Sequence, residues 1–393
     1  MTDGDFAERT VHLKPEGAYQ VLARATQLES AGREIVHFEI GQPDYATFEN
    51  VSRAGVEAIR SGKTRYTPPA GMSSLREAIA EDSGNRRGIK IHPDEVIVSP
   101  GGKPNLFFPT LALVEPGDEV IYPNPGFPTY EAMIKVAGGV PVAVPLLEKN
   151  SFSFDLDAFD KLINERTKLI ILNSPSNPTG GVIPPADLEH IAAQAERFNC
   201  WVMSDEIYAR IIYDGLIAPS IVALPGMKER TIIVDGFSKT YSMTGWRLGY
   251  GIMPRELAAR VDLLLTHSIG STAHFTQFAG LEALTGGQEM VDVMVAEYQR
   301  RRNIIVDGLN AIPGFSCQKP QGAFYVFPNI RSTGMNSTDL ANLILEKAGV
   351  ALLPGSSFGD YGEGYLRLSY ANSIENIQRG LEKIQAVVKE SKA

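Results

Sequence analysis

From about residue 90 the chain repeats one arrangement: a short β-branched, apolar run, then a glycine or proline turn, then a helical pattern. "DEVIVS" (94–99) leads into a glycine turn and "NLFFPTLALV", and "DEVIYP" (118–123) into "PGFPTYEAMIKVAG" and then "VPVAVPL". "TKLIILN" (167–173) precedes a proline-rich loop and "PADLEHIAAQAERFN"; "CWVMSD" (200–205) and "RTIIVDG" (230–236) complete the series. Strands alternating with helices make βαβ units and a parallel sheet, and continuous apolar runs mark strands buried on both faces. The predicted fold class is α/β, a mostly parallel sheet flanked by helices.

That topology fixes where chemistry can sit. In a parallel sheet the carboxyl ends of the strands share one edge, and ligands bind in the crevice outside it. The segments that follow the runs, SPGGK, PNPGF, NSPSNPTG, DEIY and GFSK, are therefore expected to be neighbours in space. After about residue 285 the pattern changes to a long charged helix, "EMVDVMVAEYQRRRNIIVDGLN", then "GAFYVFPNI", "GVALLPG", "YLRLSYA" and a last helix, which reads as α+β. A chain of 393 residues exceeds what one core usually supports. We expect residues 1–45 to form an N-terminal arm and part of a small domain, 46–285 a large domain, and 286–393 a small C-terminal domain.

Several function classes drop out. A net charge of -9 argues against nucleic acid, which needs a concentrated basic surface, and the basic trio in "YQRRRN" (298–303) reads as a solvated helix face. Two cysteines, Cys200 and Cys317, make neither a disulfide framework nor a metal-ligand pattern, as fits a reducing compartment with no metal. The start, "MTDGDFAERT", lacks the basic-then-apolar layout of a secretion signal. No apolar run approaches the roughly 18 residues of a membrane span, so the predicted location is the cytoplasm. "GSSFG" (355–359) matches G-x-S-x-G, but the last histidine is His274, leaving no base after Ser357. "GKT" (62–64) imitates a phosphate loop, with Glu57 where a glycine is required.

What remains is a set of complementary groups at one sheet edge. Lys239, in "GFSKTYSMTGWRLG", would alone be a solvated loop lysine. Placed beside the other loop ends, it suits an amine that holds an aldehyde cofactor as a Schiff base, and pyridoxal phosphate makes matching demands. Asp205, ending a buried strand, is expected to pair the ring nitrogen. Tyr208, three residues on and on one face of a helical turn, would donate to the phenolic oxygen with Asn177 beside it. The phosphate would sit on the N–H groups of Gly101, Gly102 and Lys103 at a helix start, with Arg247 as a bidentate partner and Ser238 adding a hydroxyl. Phe127 offers a flat apolar face to the ring. A lysine among small apolar neighbours beside Arg247 is expected to have a depressed pKa, which makes it a usable nucleophile and base.

These motifs resemble those of the class I/II aminotransferases, fold-type I pyridoxal phosphate enzymes. "YTPPAGMSSLREAIA", "SPSNPTG", "SDEIY", "GFSKTYSMTGWRLG" and "YLRLSYA" follow in that family's order, and the resemblance runs from "FEIGQPDY" at residue 38 to the end. It implies transfer of an amino group from an L-amino acid to a 2-oxo acid, with Lys239 as the Schiff-base lysine that shuttles a proton between substrate Cα and cofactor C4′. It implies that Arg367 clamps the substrate α-carboxylate, helped by Asn177 and the backbone of Gly41, and that Tyr19 lines the side-chain pocket. Tyr66 matches a tyrosine that reaches the neighbouring subunit's phosphate, which implies a homodimer with shared active sites. Phe127 stands where aspartate-using members commonly carry tryptophan, no second arginine is evident for a distal carboxylate, and Lys103 and His267 lie in segments suited to one. Two other readings stay open: β- or γ-elimination, as in C–S lyases on this scaffold, and a non-catalytic regulator that keeps the fold.

Overall fold

The computed structural model describes residues 6–390 apart from residues 12 and 14. The first five residues of the stretch read for a secretion signal lie outside the described residues. The main sheet uses β2 (Val96–Ser99), β3 (Glu119–Asn124), β4 (Val140–Leu147), β5 (Ser153–Phe154), β6 (Thr167–Asn173), β7 (Trp201–Asp205), β8 (Thr231–Gly236) and β9 (Gly249–Ile252), and β1 is the earlier pair Val36–His37. Its order is β2-β9-β8-β7-β6-β3-β4-β5. The run from β4 through β3, β6 and β7 to β8 is parallel, while β9 lies antiparallel between β8 and β2. "GYGI" was not anticipated as a strand, because its two glycines carry little strand propensity; it is set by close backbone pairing with both neighbours.

Successive residues of a strand point to opposite faces, and here both faces are buried. Ile121, Ile170, Leu172 and Val202 join one core cluster; Val120, Leu169, Ile171 and Met203 join the other. This double burial produces the continuous apolar runs of the sequence.

The remaining strands are short: β10 (Tyr325–Val326), β11 (Val350–Ala351), β12 (Leu353–Pro354) and β13 (Leu366–Ser369). β10 and β12 flank β13 antiparallel, and β1 pairs in parallel with β11. The helix Glu289–Asn310 packs against the last helix, Ile374–Glu390.

The basic trio on that long helix corrects an expectation. Arg300 is exposed, but Arg301 is only 8% exposed and Arg302 only 1%. Buried charges need partners, and these come from distant loops: Asp44 for Arg301, and Asp214 for Arg302 at 2.7 and 2.9 Å. A charge run read along one helix cannot reveal carboxylates that the fold delivers from 88 and 257 residues away.

Candidate active site

The glycine turn after β2 is held from within: Ser99 Oγ donates to Gly101 O (2.6 Å), and Asn105 Nδ2 donates to Ser99 Oγ (2.6 Å). Gly101 has φ +88°, and a Cβ there would fall 2.2 Å from Arg247 Nη2, so only glycine lets that guanidinium close over the turn. Arg247 itself holds φ +53°, a strained conformation for a non-glycine residue, with Nη1 donating to Thr244 O (2.9 Å). The helix Lys103–Leu113 begins directly after Gly102, as expected, so its free N–H groups face the same space.

Three strands along the sheet, Asp205 ends β7 and is buried. Its Oδ2 accepts from Tyr130 Oη (2.7 Å) and its Oδ1 from the N–H of Ile207 (3.2 Å). Burial pushes its carboxyl up to about 6, against the opposing pull of those two donors. Tyr208 follows by a tight turn, Ala209 N–H to Glu206 O (2.8 Å), rather than by the helical turn expected, and its hydroxyl pairs with that of Tyr325 (2.7 Å). Next, Lys239 leaves the turn after β8 and donates through Nζ to Gly41 O (2.5 Å). Burial, then the charges of Arg367 and Arg247, lower its pKa to about 8.

The facing wall comes from elsewhere in the chain. Arg367, on β13, is buried, with Nη1 donating to Asn177 Oδ1 (3.3 Å), Nη2 donating to Glu39 O, and its guanidinium 4.6 Å from the Tyr325 ring. Its Nε is buried with no hydrogen-bond partner, a donor left for a ligand. Gly41 must be glycine, since a Cβ would fall 2.1 Å from Tyr325 Oη.

These groups line one cleft of about 930 Å³, within the range of small-molecule sites. It contains Gly41, Gly102, Lys103, Phe127, Asn177, Asp205, Tyr208, Ser238, Lys239, Arg247 and Arg367, with Tyr19 at its exposed rim. Two predicted site residues are outside that lining: Gly101, which lies under Arg247 with its N–H donating to Ser99 O (2.8 Å) rather than free for a phosphate, and Tyr66, which is 97% exposed. Lys103 Nζ pairs with Glu16 and sits 5.3 Å from the Phe127 ring centroid.

Sequence reasoning missed Tyr130, Tyr325, Asn173 and Glu16. Tyr130 sits in the first turn of the helix Thr129–Val136, where its N–H donates to Phe127 O (3.0 Å), and its reach to Asp205 across 75 residues has no local signal. Tyr325 reaches Tyr208 across 117 residues, and no local signal marks it. Among the described residues there is no cluster of His, Cys, Asp and Glu fit for a metal, and no helix is long and apolar enough to cross a membrane. The glycine cradle under Arg247, the buried acid, the amine and the unpartnered Arg367 Nε together suit pyridoxal phosphate with an amino acid beside it.

Comparison with known proteins agrees. Residues 33–384 match the family model described as aminotransferase class I and II. The chain is 39% identical to an aspartate aminotransferase of Pyrococcus horikoshii (98% of each chain) and 37% identical to aromatic-amino-acid aminotransferase 2 of Thermococcus litoralis (91% and 92%). The structure of Thermus thermophilus aspartate aminotransferase with maleate superposes with a TM-score of 0.93 at 38% identity, covering 97% of this chain and 99% of that one.

Proposed function

The chain belongs to the class I and II aminotransferases, and from that premise we propose how its residues divide the work. It is a pyridoxal phosphate-dependent aminotransferase that moves the amino group of an amino acid to a 2-oxo acid. When bound, the pyridoxal group supplies an aldehyde that receives amino groups and a protonated ring that accepts electrons from bonds at Cα.

Lys239 would be the amine that holds the aldehyde and, once freed, the base that moves the substrate's Cα proton. A pKa near 8 keeps a useful fraction neutral. Asp205 would hold the proton on the ring nitrogen, with Tyr130 orienting that carboxylate. Gly102 and Lys103 would receive the phosphate through their N–H groups, with Ser238 and Arg247, while Gly101, whose own N–H donates to Ser99 O (2.8 Å), shapes the turn under Arg247. Tyr208 and Asn177 would donate to the phenolic oxygen, and Phe127 would offer its face to the ring. Arg367, with Asn177 and Gly41, would take the α-carboxylate and so fix the substrate's orientation before Lys239, positioning that lowers the barrier to proton removal.

The side-chain pocket, with Tyr19 at its rim, is governed by the Lys103–Glu16 pair over Phe127. A neutral or aromatic side chain leaves this pair intact. An acidic one must take Lys103 from Glu16, exchanging one carboxylate for another. The enzyme therefore accepts both classes, with Glu16 weighting it toward neutral donors.

Tyr66 serves the partner subunit's phosphate site in a homodimer, a reading supported by its exposure outside its own cleft. The pairing of β1 with β11 supports assigning residues 1–45 in part to the small domain, with 46–285 and 286–393 as the other units. Two buried, unpaired cysteines support a cytoplasmic location.

The observation that carries this reading is a single cleft joining Lys239, Asp205, Arg247 and Arg367. Incubating the holoenzyme with an amino acid and 2-oxoglutarate should yield glutamate and the donor's oxo acid. Pyruvate and ammonia released from cysteine conjugates without an acceptor would instead assign it to elimination.

A further inference from the structure

Three cations pin the segment Glu39–Asp44, which walls the cleft opposite the sheet edge. Arg367 Nη2 donates to Glu39 O, Lys239 Nζ donates to Gly41 O (2.5 Å), and Arg301 Nη1 donates to Asp44 Oδ1 and Oδ2 (2.9 and 2.8 Å). The third pin is the most heavily built. The Tyr298 hydroxyl also donates to Asp44 Oδ1 (3.2 Å), Arg301 Nε donates to Glu297 Oε1 (3.0 Å), and the Tyr45 and Tyr298 rings stand 5.7 and 5.6 Å from the guanidinium carbon. Arg301 is buried, while Asp44 lines the cleft.

The chemistry proposed above takes away the other two pins. Lys239 gives its amine to the aldehyde and Arg367 must turn toward a carboxylate, so the segment loses its holders at Gly41 and Glu39 as Gly41 meets the substrate. We propose that Arg301 is a positioning residue for the α-carboxylate subsite: acting through Asp44, it keeps Gly41 in place while Lys239 and Arg367 exchange partners. It touches neither substrate nor cofactor, and the proposal rests on the roles given to Lys239 and Arg367. Arg302, the next residue, is the internal contrast. It is also buried, but its partners Asp214, Pro320 O and the Tyr213 ring are not among the cleft's lining residues.

Every amino acid carries the same α-carboxylate, so losing this pin weakens all substrates alike and spares the preference between side chains. The test uses the holoenzyme and its Asp44→Asn, Arg301→Gln, Arg301→Lys and Arg302→Gln variants, with the Asp44→Asn/Arg301→Gln double variant. The probes are 2-methylalanine and 2-methylaspartate, which have the amine and carboxylate but no Cα proton, titrated against the cofactor's absorption. Asp44→Asn and Arg301→Gln should each weaken both probes by roughly tenfold, with the double variant no worse than either single one, as coupled residues require. KM should rise with kcat within about twofold, the mark of lost uniform binding. Lysine at 301 should restore part of the loss, cofactor affinity should hold, and Arg302→Gln should lower the melting temperature without moving either probe. Unchanged probe affinity in folded Asp44→Asn and Arg301→Gln, an effect on one probe alone, or the same effect from Arg302→Gln would overturn the proposal. A wild-type holoenzyme that binds neither probe and turns over no amino acid would overturn the underlying site assignment instead.

Discussion

Along the sheet edge, Gly101, Asp205 and Lys239 each follow or end a strand buried on both faces, so the backbone itself aims them. The opposite wall, Glu39–Asp44 with Tyr325 and Arg367, comes from loops and from strands of two to four residues, tied together largely by side-chain hydrogen bonds. Behind the sheet edge, buried Arg87 bonds Glu206 (2.8 Å) and Asp235 (3.2 Å), bracing the segment after β7 against β8. A wall fixed by backbone suits a cofactor that stays, and a wall held by exchangeable side-chain contacts suits a substrate that comes and goes. Damage to the first should abolish function or folding; damage to the second should weaken substrate.

The sharpest break is at Lys239. Lys239→Ala should lower turnover at least about a thousandfold, because nucleophile and proton carrier leave together; a coupled assay for the oxo acid product reads it. Turnover near the wild-type level would strip the sheet edge of its assigned role. Next comes the brace: Arg87→Gln strands Glu206 and Asp235 with less charge compensation, and a loss of about 3–5 kcal/mol is expected for breaking a buried pair. Urea denaturation measures this, and a change within about 0.5 kcal/mol would show that the strand ends hold without the network. On the opposite wall, Arg367→Lys should reduce kcat/KM by about a hundredfold for acidic and neutral donors alike, since an ammonium cannot reproduce the planar fork.

Two smaller effects refine the contrast. A neutral Lys239 is the form that captures the aldehyde, and its pKa is lowered from 10.5 to about 8. Below about 8 the neutral fraction rises about tenfold per pH unit, and above that it levels off. Cofactor uptake by the cofactor-free protein, followed by stopped-flow absorbance, should climb and then plateau accordingly. A rate still climbing near pH 10 would mean an unperturbed lysine. The mildest change is Glu16→Gln. Freeing Lys103 should shift the acidic-to-neutral preference in kcat/KM by about two- to fivefold toward acids, as befits a half-exposed pair. An unchanged ratio would remove Glu16 from the specificity account.

The same contrast decides what a reader of the sequence can see. Asp205 and Lys239 were legible because a run of apolar residues locates a strand, and parallel topology then places every strand end at one edge. Tyr130 was not, since its bond to Asp205 spans 75 residues. Arg367 and Gly41 gained roles only through the family resemblance, since nothing in "YLRLSY" says that it faces "FEIGQPDY" more than 300 residues away. Arg301 and Arg302 were misread for the same reason. A charge run looks solvated until the fold brings Asp44 and Asp214 to it.

The division of labour between the two walls is most directly tested by absorption titration of Arg367→Lys, first with pyridoxal phosphate and then with an amino acid donor. The account predicts cofactor uptake at the wild-type affinity, followed by a spectral shift that needs about a hundredfold more donor. Failure of the variant to take up the cofactor, or a shift at the wild-type donor concentration, would contradict it.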